Sequence, residues 1–276
     1  MDADADPDRE LQARVDALYS ANAHRENLHD LRDVDLKSNL GGAAGVYGEV
    51  TTPETIFKAL KLGEKDHFVD LGSGRGQVVI AACMRRSDMP STATGVEMVP
   101  ARHRDGEKAL AQASDSVKAC ASLVCGDALN DDTNGMRRAT KVFLCNATFP
   151  GNLNSDFAAT LAPEHAPQLH SVATMQPFSD SDVLKNGLQL SRITSVKGTW
   201  ASGGCPLYVY TRSGVEPAPN PDSVIDSEAV AKMLATRVEN DRKAMELVKR
   251  GEAAHATAGE VERGAMRTAL LAASLG

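Results

Sequence analysis

The sequence predicts an α/β fold: a mostly parallel sheet flanked by helices, with an antiparallel hairpin at its C-terminal side. Three observations predict it. Short apolar runs at 67–71, 93–96, 122–125 and 142–145 have the length of buried strands. Helix-length stretches at 76–87 and 99–118 alternate with the first three of them. Later runs at 168–174, 188–196 and 206–211 also read as strands, and Gly203-Gly204 between the last two supplies a turn for a hairpin.

The flanking elements follow from the same rules. Leu11, Val15, Leu18 and Asn22 recur at helical spacing, which predicts a short amphipathic helix over 8–26. Gly41, Gly42 and Gly45 make a flexible joint. Pro53 and Glu54 open a helix carrying Ile56, Phe57, Leu60 and Leu62, with Gly63 as its stop. Pro217, Pro219 and Pro221 form a linker, and the evenly charged, Ala-rich stretches 226–250 and 260–275 read as helices beyond the core. The expected organisation is an acidic helical segment at 1–45, a core at 46–214, and a linker with C-terminal helices at 215–276.

A length of 276 residues suits one full-sized α/β domain with attachments. No apolar run approaches the ~18 residues of a membrane span, and the acidic start (five acids within residues 1–10) is wrong for a signal or transit peptide. Neither a membrane nor a secreted protein is expected. Of the formal charge of −7, −5 lies in residues 1–40, which hold ten acids and five bases. The body is nearly neutral, and no Lys/Arg run reads as a nucleic-acid tail. Five cysteines, an odd number with no C-x-x-C pair, read as buried free thiols in a reducing compartment. The seven histidines are scattered, so no metal site is expected. Only eleven residues are aromatic.

The strongest chemical feature is Phe68-Val-Asp-Leu-Gly-Ser-Gly-Arg-Gly-Gln77. An apolar strand ends at Asp70, and Gly72, Gly74 and Gly76 turn the chain sharply into a helix, letting a ligand approach the backbone. Gln77 at the third position of G-x-G-x-x-G disfavours a pyrophosphate turn, and an acid at the strand end favours a cationic group. Glu97 ends the next strand, where a ribose diol is held in nucleoside-binding folds. Asp127 follows the third strand and Asn146 the fourth. Three acids and a polar residue at four successive strand ends form the layout of an S-adenosylmethionine site, since ligands bind at the carboxyl ends of parallel strands. The bland reading makes Glu97 and Asp127 helix caps, but capping alone does not explain their recurrence at successive strand ends. A nicotinamide-dependent oxidoreductase is disfavoured by Gln77 and by the lack of a Tyr-x-x-x-Lys pair. A catalytically dead interaction module is disfavoured by the joint retention of Asp70, Glu97, Asp127 and Asn146.

Several motifs together resemble one family, the non-SET histone lysine methyltransferases named for disruptor of telomeric silencing. They are Tyr47-Gly-Glu49, the glycine turn with its strand, Gly95-Val-Glu97, Gly126-Asp127, Val142-Phe-Leu-Cys-Asn-x-x-Phe149, Pro177-Phe178, and Lys197-Gly-x-x-Trp200 leading to Tyr208. The compact size looks most like the kinetoplastid members. The resemblance implies a class I S-adenosylmethionine-dependent methyltransferase fold, Rossmann-like. It implies a lid loop of Tyr47, Gly48, Glu49 and Val50 over the methionine end of the cofactor. The strand and turn Phe68, Val69, Asp70, Leu71, Gly72, Ser73, Gly74, Arg75, Gly76 and Gln77 would form the cofactor floor. Asp70 would hold the amino group with help from Gln77, Glu97 the ribose hydroxyls, and Asp127 the adenine amine. Asn146, Phe149, Trp200 and Tyr208 would line a channel for the target lysine. Ala128 stands where family members commonly stack an aromatic on the adenine, and the family's Asn-Asn pair is reduced to Cys145-Asn146.

The implied reaction is in-line attack of a lysine nitrogen on the sulfonium methyl, yielding S-adenosyl-L-homocysteine. A lysine of ordinary pKa ~10.4 arrives protonated, and an apolar channel depresses that pKa by desolvation. The resemblance implies a lysine on the globular core of histone H3 in the nucleosome as substrate, and a nuclear location. Contact with nucleosomal DNA is expected to be weak or indirect, through pairs such as Arg85-Arg86, Arg102/Arg104 and Arg137-Arg138. The acidic N-terminal segment could meet basic histone surface. The alternative is a methyltransferase of the same fold acting on another protein or a small molecule.

Overall fold

In the computed structural model, residues 7–20 and 47–212 are described, apart from 86, 131–133, 148 and 150. The expected joint at 41–45, the Pro-rich linker and the C-terminal helices lie outside the described residues. The elements are α1 (Pro7–Ser20), α2 (Pro53–Leu60), β1 (His67–Leu71), α3 (Gln77–Cys83), β2 (Thr92–Glu97), α4 (Pro100–Ala111), α5 (Asp115–Cys120), β3 (Ala121–Cys125), β4 (Lys141–Leu144), α6 (Gly151–Thr160), β5 (Ser171–Thr174), α7 (Asp180–Lys185), β6 (Leu188–Gly198) and β7 (Ala201–Arg212).

One seven-stranded sheet runs β3-β2-β1-β4-β5-β7-β6. Its first five strands are parallel, β7 is antiparallel to β5, and β6 is antiparallel to β7. The chain starts at β1 in the middle, winds out to β3, then crosses back to β4. β1 and β4 therefore lie side by side, and their carboxyl ends open onto a crevice where the winding reverses.

Alternation along the strands divides the core between two faces. On one face Phe68, Phe143, Leu207 and Val209 pack against Ile56 and Phe57 of α2, Val79 and Ile80 of α3, and Leu11, Val15 and Tyr19 of α1. Phe57 meets Phe68 edge-on at 5.9 Å. On the other face Val69, Leu71, Val142 and Leu144 pack against Leu153 and Phe157 of α6. Burial on both faces is why these strands read as short apolar runs rather than alternating ones.

Several boundaries differ from the sequence reading. The helix opened by Pro53 stops at Leu60, and Lys61, not Gly63, takes the left-handed cap at φ 53°. The expected helix over 99–118 is two helices, because Ser114 is extended between α4 and α5. The hairpin turns at Thr199-Trp200, with Gly198 paired to Ala201; Gly203 and Gly204 lie inside β7, where the register shifts by a bulge. Helices α6 and α7 were not expected. The signal for α6 was there, since Leu153, Phe157 and Leu161 recur every four residues. The cysteine reading also needs correction: Cys83 at the end of α3 and Cys120 at the end of α5 form a disulfide, with their Cα atoms 5.8 Å apart. Adjacent helices on one face bring them together, a proximity that a separation of 37 residues does not reveal.

Candidate active site

At the carboxyl ends of β1, β2 and β4 lies a cavity roofed by segment 47–50. Its floor is Asp70, Gly72, Ser73, Gly74 and Gln77. Gly74 is left-handed at φ +58°, and a Cβ there would fall 2.8 Å from the ring of Tyr47, so only glycine lets the roof descend onto the turn.

Asp70 is 2% exposed, and its Oδ1 has no hydrogen-bond partner. Burial, with the nearby Glu97 charge, pushes its carboxyl up to about 8. Glu97 is buried too, and burial raises its pKa. Its Oε2 accepts the Gly74 N–H at 2.8 Å and its Oε1 the Val99 N–H at 2.8 Å. The Arg102 guanidinium stands 3.8 Å from Glu97 Oε1 and 4.6 Å over the Tyr47 ring.

The roof is fixed on both sides. The Tyr47 hydroxyl and the Gln77 amide both donate to the Glu49 carboxylate. The Glu49 N–H donates to Thr199 Oγ1 at 3.0 Å, and the Thr199 N–H donates to the Glu49 carbonyl at 2.8 Å. Val50 pairs with Gly198 as an antiparallel bridge. Trp200, in the hairpin turn, lies against both Gly48 and Gly198, and Cβ atoms there would come within 2.4 and 2.7 Å of its ring. The hairpin tip and the roof form one unit. Opposite stands an apolar wall of Val96, Met98, Ala128, Phe143, Cys145, Phe149 and Phe157, with Phe149 stacked on Phe157 at 5.3 Å.

The predicted site residues separate into three groups. Tyr47, Gly48, Glu49, Val50, Asp70, Gly72, Ser73, Gly74, Gln77, Glu97, Ala128, Phe149 and Trp200 line the cavity. Phe68, Val69 and Leu71 point into the two cores, Gly76 packs under Leu123, and the Arg75 side chain turns to Asp105.

Asp127, Asn146 and Tyr208 are not among the lining residues. Asp127 is exposed and accepts the Leu129 N–H at 2.8 Å. Tyr208 is 4% exposed in the core on the α6 side. Asn146 is fully buried: its Oδ1 accepts the N–H groups of Met175 (2.7 Å) and Gln176 (2.8 Å), and its Nδ2 donates to Asn154 Oδ1 (2.5 Å) and the Gln176 carbonyl (3.3 Å). All four hydrogen-bonding positions of this amide are occupied by the scaffold. The reduced Asn-Asn pair therefore presents Cys145 to the cavity and Asn146 to the fold. Of the basic pairs expected on the surface, Arg85 is tied to Glu54 and two carbonyls and Arg102 is inside the cavity, while Arg137-Arg138 is exposed.

The sequence reading missed Val78, Val96, Met98, Arg102, Phe143, Cys145, Ala147 and Phe157 as lining residues. Strand register carried a signal for one of them: Phe143 stands beside Asp70 in the β1–β4 pairing.

The donor set fits S-adenosylmethionine. A buried carboxylate with an orphaned oxygen suits an ammonium, a second carboxylate at the next strand end suits a diol, and the apolar wall suits an aromatic base and a sulfonium. Residues 30–166 match the family model described as histone methylation protein DOT1. Over those residues the chain resembles DOT1. No curated protein matches it. Among solved structures it is similar in fold to the B. subtilis m1A22 tRNA methyltransferase TrmK (11% identity, TM-score 0.47, covering 82% of this chain and 98% of that one). It is also similar to an RNA methyltransferase from Salinibacter ruber in complex with S-adenosyl-L-homocysteine (20%, 0.41, 60% and 94%) and to M. capricolum TrmK in complex with S-adenosyl-homocysteine (6%, 0.46, 79% and 94%). The DOT1 match and the strand-end acids together make this DOT1-like chain an S-adenosylmethionine-dependent methyltransferase.

Proposed function

We propose that the protein transfers a methyl group from S-adenosylmethionine to a lysine on the globular core of histone H3 within the nucleosome, and that it works in the nucleus. The match of residues 30–166 to the histone methylation family is the observation that carries this reading. The cavity supports it, because an aromatic wall beside a pair of acids suits a desolvated lysine meeting a cationic donor.

In this reading Asp70 and Gln77 hold the amino-acid end of the cofactor, Glu97 takes the ribose, and the wall around Met98 and Ala128 receives the adenine, with Asp127 nearby at the rim. Segment 47–50 covers the site and excludes water. The cofactor supplies an electrophilic methyl on a sulfonium. Phe149, Trp200 and Cys145 flank the lysine path. Burial pushes the Cys145 thiol up to about 12, so it stays protonated and adds no negative charge that would hold the lysine as an ammonium. Rate enhancement comes from alignment of donor and acceptor and from desolvation. Asn146 acts here by holding the end of β4, and Tyr208 by packing the sheet beneath. The catalytic unit spans residues 46–214, and exposed Arg137-Arg138 is the basic pair open to nucleosomal DNA.

The test is mass spectrometry of reconstituted nucleosomes incubated with the protein and S-adenosylmethionine, with free histones and an unrelated protein mixture in parallel. The expected product is a methylated lysine in the globular part of H3, stronger on nucleosomes than on free histones. Methylation confined to other proteins, or none on H3, overturns the substrate assignment.

A further inference from the structure

Arg75 stands between Gly74 and Gly76 in the glycine turn, yet its side chain is absent from the cavity lining and only 8% exposed. It lies at a junction of four segments. Its Nε donates to Asp105 of α4 at 2.6 Å, and its Nη1 stands 3.6 Å from the Glu49 carboxylate in the roof. Its guanidinium lies 4.2 Å over the ring of Tyr19 in α1, and the Tyr19 hydroxyl donates to the Arg75 carbonyl at 2.6 Å. A second route joins the same helix to the same carboxylate: Gln12 Nε2 donates to Gln77 Oε1 at 3.4 Å, and Gln77 donates to Glu49.

From this convergence we infer that Arg75 is a positioning residue which, with Tyr19, couples helix α1 to segment 47–50 and so sets how tightly the roof closes over the cavity. A buried carboxylate without a cation is costly to keep ionised. Glu49 is half-buried in the roof, its side chain 16% exposed, and Arg75 is the guanidinium beside it. Lysine could satisfy one carboxylate from this place, but it has no planar fork to reach both Asp105 and Glu49 while lying flat on a ring. Tyr19 fixes the plane of that fork and the carbonyl behind it. The inference rests on reading the cavity as the cofactor site, and it adds a role for the N-terminal helix in that site.

The chain has a single tryptophan, Trp200, and it rests on Gly48 of the roof. Its fluorescence therefore reports roof position in the ligand-free full chain. In Arg75→Met, acrylamide quenching of Trp200 is expected to rise. The dissociation constant for S-adenosylmethionine, by calorimetry, is expected to rise about tenfold. Arg75→Lys should recover only part of the affinity. Tyr19→Leu leaves every charge in place and should shift quenching and affinity in the same direction. A folded Arg75→Met or Tyr19→Leu protein with wild-type quenching and wild-type affinity overturns the inference. If Arg75→Met does not fold, the Tyr19→Leu result decides alone. Failure of the wild-type protein to bind S-adenosylmethionine overturns the cofactor reading instead, and the quenching comparison still tests the coupling.

Discussion

At the scale of single residues, the two positions Cys145 and Asn146 show how neighbours in sequence take opposite duties. The backbone leaves β4 at Leu144, so one side chain faces the cavity and the next faces the corner between β5 and α6. The Asn146 amide satisfies two backbone N–H groups there, which would otherwise be buried without partners. Asn146→Ala is expected to destabilise the protein by about 3 kcal/mol, the scale of leaving several buried polar groups unpaired. Urea unfolding followed by circular dichroism measures this. A loss of turnover in that variant with stability unchanged would instead favour a place in the lysine path. Asp70 is the opposite case. It carries an orphaned acceptor that the fold does not satisfy, as expected of a group kept for a ligand.

At the scale of elements, the close approach of α4 to the glycine turn limits what the cavity can become. A Cβ on Gly106 would fall 2.4 Å from the Arg75 carbonyl, a backbone atom that cannot swing aside. Gly106→Ala should therefore push α4 away from the turn and cost about 1–3 kcal/mol, as overpacking does. Its effect on cofactor affinity should exceed its effect on the melting temperature, because Arg102 on the same helix lines the cavity. Calorimetric titration beside a thermal melt tests this, and a variant with normal affinity would show that α4 tolerates the shift. The hairpin is the other element that matters. Its two-residue turn carries Trp200, and its edge strand pairs with Val50, so the roof is an extension of the sheet rather than a free loop.

At the scale of the whole molecule, the buried acids link stability to pH. The folded pKa of Asp70 is raised to about 8, against 3.8 for the free side chain. Below pH 4 both states are protonated and the group has no net effect. Between about 4 and 8 the unfolded chain ionises and the folded one does not, so stability falls as pH rises through that window. Asp70→Asn removes this term. In thermal melts of the ligand-free protein, the variant should gain stability over wild type from pH 4 to pH 8 and level off above. Cofactor binding should be lost at every pH. A constant difference between the two proteins from pH 4 to pH 8 would show that Asp70 is ionised in the fold. The N-terminal helix belongs to this scale as well: Leu11, Val15 and Tyr19 are core residues of the same face as α2 and α3.

The sequence by itself determined the alternation of strands and helices, the hairpin, the glycine turn and the placing of acids at strand ends. These are local matters of periodicity, backbone freedom and strand phase. It also carried the motifs by which the DOT1 likeness is legible, with the roof residues 47–50 and Trp200 among them. Only the tertiary structure decided which side chains share a space. Asp127 sits at the surface, Tyr208 in the core and Asn146 in the scaffold, although each follows or lies on a strand in the expected order. Arg102, Cys145 and Phe157 enter the cavity from a helix, a strand end and a second helix that no spacing rule connects. Arg75 gathers Tyr19, Asp105 and Glu49 from positions up to 56 residues away. Periodicity says which face a residue occupies, but the packing of one element on another says what that face meets.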